Sequence, residues 1–140
     1  MAKTTTARAR LAEVTLPDFG MPAAEPRLPP SIYAHRMERL RSAMDARGYE
    51  HLVVWADREH SANIAYLTGF DPRFEEAVLV VRPEGDPAIL VGNECYGMAG
   101  AAPLPMRRHL HQDLSLPSQP RDRSRSIDEV LAEELSLIHI

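Results

Sequence analysis

The chain has a single cysteine, Cys95, in 140 residues. It therefore forms no internal disulfide and holds no cysteine-rich zinc site. It has no apolar run near the roughly 20 residues that a membrane-spanning helix needs. Its first residues also lack the compact apolar core of a secretory signal. These absences set the expectation of a cytoplasmic, reducing location with no membrane contact. An excess of positive charge is missing too: 16 Lys and Arg face 20 Asp and Glu, for a formal net charge of −4. Arg107, Arg108, Arg121, Arg123 and Arg125 do cluster, but Asp113, Asp122, Asp128 and Glu129 interrupt them. That is the pattern of a solvated mixed-charge face, and nucleic acid is not the expected partner. Internal repeats are lacking as well. What is present is ordinary for a soluble globular protein, with 44% apolar and 26% charged residues. The length suits one core, in a domain that hides about two-thirds of the surface its unfolded chain exposes.

Residues 1–30 are rich in Pro and Ala without a sustained period and read as an extended or partly disordered lead-in, with Leu16, Phe19, Met21 and Leu28 available as anchors. A domain is expected over 31–135. Ser31, after Pro29 and Pro30, is placed to cap a helix whose stripe is Tyr33, Met37, Leu40 and Met44, with Gly48 as its left-handed stop. His51–Trp55 (HLVVW) reads as a strand covered on both faces. Ser61 is positioned to cap a second helix that Gly69 ends. Ala77–Val81 and Ala88–Val91 flank a turn too short for a crossover, which predicts an antiparallel hairpin. Asn93 is the expected cap of a short helix over Glu94–Ala99, and Met106–His111 alternates as a partly exposed fourth strand. The segment from Gln112 to Arg125 has no period and reads as a loop. Ser126-Ile127-Asp128-Glu129 then has the form of a capping box opening a last helix with Ile127, Val130 and Leu131 on its buried side. The order of elements predicts an α/β domain, a mixed β-sheet flanked by helices.

Few residues suggest catalysis. A two-metal hydrolase needs several convergent carboxylates and imidazoles. The best local pair, His109-x-His111, shares one strand face but has no third ligand in the sequence, so an exposed strand face is the plainer reading. Glu59-His60 lacks the second histidine of a zinc-helix motif. Asp57, His60 and Ser61 lie too close together at a helix start to align as a nucleophilic triad. Cys95 has no histidine or lysine beside it to activate the thiol, and reads as a small packed residue. Gly92, Gly97 and Gly100 raise a nucleotide-binding module as an alternative, although they do not spell G-x-G-x-x-G and follow a hairpin strand. A stand-alone dimerisation module is a further alternative.

The most informative stretch is Asp57–Glu76, DREHSANIAYLTGFDPRFEE, because it joins two strands and strand ends are where α/β proteins place functional groups. Ile64, Leu67 and Phe70 read as core. Asp57, Arg58, His60, Asn63, Tyr66, Asp71 and Arg73 are candidate rim residues, with a solvated loop as the equal alternative for most of them.

The sequence of amphipathic helix, LVVW strand, S-x-N-x-x-YLTGF (Ser61–Phe70), hairpin and ILVGNE resembles the N-terminal domain of the creatinase, prolidase and aminopeptidase P family over Ser31–Glu134. LPDFG and QDLSLPSQPRDRSR are similar to a bacterial Xaa-Pro peptidase-like branch. The resemblance implies a ribonuclease H-like mixed layer that aids oligomerisation, as a homodimer in the full-length protein, and walls a peptide-substrate pocket. Chemistry would belong to a separate pita-bread domain holding two divalent metal ions, so no catalytic or metal-binding residue is expected in this chain. Arg58 would pair with a peptide carboxylate and Tyr66 would form an apolar wall. In the family a glycine-containing turn and a strand follow the last helix. The ending LSLIHI departs from that, and the expectation is a truncated domain with 136–140 as a non-native tail.

Overall fold

Two consecutive prolines start the first helix. In the computed structural model, which describes residues 11–21, 23–24 and 27–135, α1 spans Pro30–Asp45 with Pro29 as N-cap. The start thus precedes the expected Ser31 cap, because a proline at the first helical position loses no N–H that the helix would use and its fixed φ suits the first turn. Tyr33, Met37 and Met44 are buried and Leu40 packs against them half-buried. Gly48 ends the helix at φ 68°. Its N–H donates to the Asp45 carbonyl and the Tyr49 N–H to the Met44 carbonyl, both at 3.0 Å, which is a Schellman closure.

Strands β1 (Leu52–Ala56), β2 (Ala77–Val81), β3 (Ala88–Val91) and β4 (Arg107–Leu110) form one sheet in the order β1-β2-β3-β4. β2 and β3 make the expected antiparallel hairpin, with Leu79 opposite Ile89. β1 is antiparallel to β2, and β4 is parallel to β3. The sheet is mixed, as the sequence predicts. On one face, α1, α2 (Ala62–Thr68) and α3 (Cys95–Ala99) bring Met37, Ile64 and Cys95 onto Leu79, Val81 and Ile89. On the other, α4 (Ile127–Glu134) and Leu114 cover Val78, Val80 and Leu90. Each fully buried Val, Leu or Ile contributes about 1.5–3 kcal/mol, so the all-buried strands β2 and β3 are the energetic centre.

β1 departs from expectation. Leu52, Val54 and Ala56 face the helices, but Val53 and Trp55 on the other face are 49% and 48% exposed. α4 lies over β2, β3 and β4 and leaves the edge strand uncovered; a short apolar run does not distinguish an edge strand from a central one. The capping box is present, with the Glu129 N–H donating to Ser126 Oγ at 3.3 Å and the Ser126 N–H to Glu129 Oε2 at 3.0 Å. At the far end of α4, the fully buried Glu134 carboxylate accepts from Arg107 at 2.5 Å and pairs with His109 Nε2 at 2.7 Å, tying the helix to β4. In the lead-in the expected anchors do not pack: Leu16, Phe19 and Met21 are 81%, 90% and 94% exposed, and Leu28 is half-exposed. The expected tail, 136–140, lies outside the described residues.

Candidate functional site

β1, β3 and β4 run in one direction and β2 in the other, so Ala56, Ala77, Val91 and Leu110 lie at the same end of the sheet. The connections after β1, before β2, after β3 and after β4 all gather there. Open α/β sheets bind ligands beyond the carboxyl ends of their strands, which makes this end the candidate site.

The first connection satisfies itself. Asp57 Oδ1 accepts from the backbone N–H groups of Glu59 and His60, both at 2.8 Å, and from His60 Nδ1 at 2.9 Å. The His60 hydrogen bond holds the Asp57 carboxyl below its usual range, and the same bond raises the His60 imidazole. Arg58 reaches Glu59 at 3.2 Å with both side chains in solvent. Ser61 occupies the N-cap of α2, but its side chain makes no capping bond; at φ −81° and ψ −14° its backbone is already helical, which turns the hydroxyl away from the first N–H groups.

The YLTGF run that follows is mostly architecture. Thr68 is fully buried, and its hydroxyl donates to the Ile64 carbonyl at 2.7 Å and accepts from the Phe70 N–H at 3.1 Å. Gly69 takes φ 75° and donates to the Ala65 carbonyl. A Cβ there would run into the Pro103 ring and Tyr33 Cζ, the latter at 2.9 Å. Tyr66 is the one side chain of this run that is well exposed, at 52%, beside the exposed backbone of Gly69. The Arg36 guanidinium stacks on its ring 4.1 Å from the centroid and donates to its carbonyl at 2.8 Å.

The seven candidate residues therefore divide among three places. Asp57 and Arg58, with His60 bound to Asp57, edge a polar cleft of about 300 Å3 against Phe74 and Glu76. Asp71 accepts from the Arg73 N–H at 2.9 Å, and this pair edges a hollow of about 200 Å3 beside Phe70 and Met98. Arg73 takes φ 56°, a left-handed conformation that its neighbour's carboxylate supports. Asn63 and Tyr66 instead line a largely apolar groove of about 490 Å3 along β1, with Leu40, Trp55 and Leu67. A further cleft, about 520 Å3, lies at the opposite end of the sheet between α1 and the β2–β3 turn, away from all of them.

Two residues that sequence reading passes over hold the candidate end together. Glu75, 1% exposed, accepts from the N–H groups of Cys95 at 2.9 Å and Glu94 at 3.3 Å and so caps α3 from 19 and 20 residues away. This replaces the expected Asn93 cap; the Asn93 side chain donates instead to the Pro120 carbonyl at 2.9 Å. Glu75 also takes the N–H groups that a phosphate would need, so the Gly92 region is no anion cradle. Burial, and then the Glu75 carboxylate, push the Cys95 thiol up to about 12, which leaves it an inert core group. Gln112, 2% exposed, donates to Asn93 Oδ1 at 2.9 Å and accepts from the Arg123 N–H at 2.6 Å, pinning the aperiodic segment 112–125 over the sheet end. No local pattern marks either residue, because every partner is distant in sequence.

The histidine pair is not open to a metal. His109 is engaged by Glu134, and His111, almost fully buried, bonds the Arg125 carbonyl at 3.2 Å. The expected exposed strand face is thus corrected: α4 and the 112–125 segment cover both rings. Among the described residues no group of three or more His, Cys, Asp or Glu is arranged to hold a metal ion. No helix of the described residues is long and apolar enough to cross a membrane.

A family model described as the creatinase/prolidase N-terminal domain matches residues 36–136. The chain belongs to that family. No curated protein matched this creatinase N-terminal domain. Among solved structures it is similar to dipeptidase PepE from Mycobacterium ulcerans, with a TM-score of 0.46 and 20% identity over 59% of this chain and 23% of that one. It is also similar to a Creatine_N superfamily domain of a dipeptidase from Streptococcus thermophilus, with a TM-score of 0.41 and 21% identity over 52% and 53% of the two chains. The creatinase N-terminal domain thus spans under a quarter of the first of these proteins and about half of the second.

Proposed function

We propose that this chain is a non-catalytic accessory domain of a Xaa-Pro peptidase-type metallohydrolase, contributing a wall of the substrate pocket and a part of a homodimer. Two divalent metal ions and the groups that hold them would belong to a separate domain. The carrying observation is the convergence of four connections at one sheet end, where Asp57, Arg58, His60, Asp71 and Arg73 present charge to solvent without forming a reactive cluster. Arg58 and Arg73 supply forked donors suited to a peptide carboxylate. Such a surface is suited to orienting a substrate.

The reading is tested by incubating the chain with Xaa-Pro dipeptides and divalent metal while following backbone amide signals. The expected result is no hydrolysis, with shifts confined to residues 57–60 and 71–76. Turnover that survives purification and disappears with chelator would overturn the accessory role. Absence of any shift at those loops would remove the rim assignment.

A further inference from the structure

The two edges of the sheet are treated differently. β4 carries Arg107 and Arg108, charged groups of the kind that blunt an edge. β1 reads Leu-Val-Val-Trp-Ala, with no charge and no proline, and among the described residues it pairs with β2 alone. Beside its open edge runs the groove walled by Leu40, Trp55, Tyr66 and Leu67. An apolar, unpaired strand next to an apolar groove is a template for one more strand.

The chain also carries an unpartnered strand-like segment. Residues 11–16 read Leu-Ala-Glu-Val-Thr-Leu, so Ala12, Val14 and Leu16 fall on one side of an extended chain. Pro17 ends the run at six residues, enough to lie along the five residues of β1. Leu11, Val14 and Leu16 are 104%, 72% and 81% exposed, so they are not packed into the core of the single copy. Residues 11–21 contain Glu13 and Asp18 and no basic side chain, whereas the groove is bordered by the Arg36 guanidinium resting on Tyr66.

We infer that two copies of this chain exchange these arms: residues 11–16 of one copy add to the free edge of β1 in the other, with Val14 and Leu16 entering the groove. The inference rests on the homodimer part of the proposed function and names its surface. Exchange is favoured over folding back because Pro17, Pro22, Pro26, Pro29 and Pro30 stiffen the connection to α1. Extended, the 14 residues from Leu16 to Pro30 reach at most about 46–50 Å, ample for a neighbouring copy. The contact is reciprocal and closes as a two-fold dimer.

Trp55 is the only tryptophan and lines the groove, so it reports occupancy directly. The test is sedimentation and tryptophan emission of the full chain from low to high micromolar concentration, compared with the Val14→Asp/Leu16→Asp variant. Those two side chains lie outside the core, 72% and 81% exposed in the single copy, and the fold of the variant is checked by circular dichroism. The expected result is a species of twice 15.7 kDa with blue-shifted emission, halved in mass and red-shifted in the variant. A dimer unaffected by the variant would overturn arm exchange while leaving the homodimer standing. A monomer at all concentrations would overturn both, and a monomer whose emission still responds to the arm would show docking within one chain instead.

Discussion

Gly69→Ala isolates two costs that usually come together. The first is conformational: Gly69 sits at φ 75°, where a Cβ costs about 1–2 kcal/mol. The second is steric. The added methyl would stand 2.7 Å from Pro103 Cδ and 2.9 Å from Tyr33 Cζ, and overpacking of this kind costs about 1–3 kcal/mol. Their sum, about 2–5 kcal/mol, is a large part of the 5–15 kcal/mol by which domains are stable. Gly48→Ala is the internal control, since Gly48 has φ 68° but nothing within 4 Å of the new Cβ. It should lose the conformational part alone. In urea unfolding, with a slope of about 1.5 kcal/mol/M, the Gly69→Ala midpoint should fall by about 1–3 M, clearly more than that of Gly48→Ala. Placing Gly69→Ala in a Pro103→Ala background should shrink its cost toward the Gly48→Ala value, leaving the Tyr33 contact as the remainder, a coupling that a double-mutant cycle reads directly. Equal shifts for the two glycine variants, or no coupling to Pro103, would refute the close-packing account of the YLTGF turn.

Three further outcomes follow from the same geometry. His60 should titrate above 6.5 by NMR and return to about that value in Asp57→Asn. With the folded His60 raised, its contribution is complete below 6.5 and fades as pH climbs through the raised value; that of Asp57 holds above 3.8 and fades as pH falls through its lowered value, so the loop is tightest between them. Glu75→Gln should bring the Cys95 thiol down from about 12, seen as alkylation that sets in at lower pH. Ser126→Ala should cost about 1 kcal/mol of stability in chemical denaturation, through loss of the cap on α4.

What the sequence made legible was local. The capping box at Ser126, the Schellman glycine at Gly48 and the β2–β3 turn each rest on residues within a few positions of one another, and each is found as read. The misses involve partners that the chain brings from afar. Asn93 has the right chemistry for a cap, yet Glu75 arrives across the sheet end and takes the N–H groups of α3 first. HLVVW looks like any buried strand until the placement of α4 shows which side of Val53 and Trp55 is left bare. The histidines of β4 look exposed by alternation, but Glu134 and the 112–125 segment come over them. The candidate rim was read as one set of residues, and the structure divides it: Asp57 bonds His60 and Asp71 bonds the Arg73 N–H, two local pairings that the sequence reading did not draw. That Asn63 and Tyr66 belong to a different groove depended on how α2 lies along β1.

Glu75 has a mechanical meaning beyond its hydrogen bonds. It closes the connection that carries Asp71 and Arg73 and in the same carboxylate grips the start of α3, so the two loops share one rivet. The single thiol of the chain adds a second fastening to the same place, because Cys95 Sγ donates to the Pro72 carbonyl at 3.0 Å. The connection between Asp71 and Arg73 is thus held to the start of α3 from both sides of Pro72, by the Glu75 carboxylate and by the thiol.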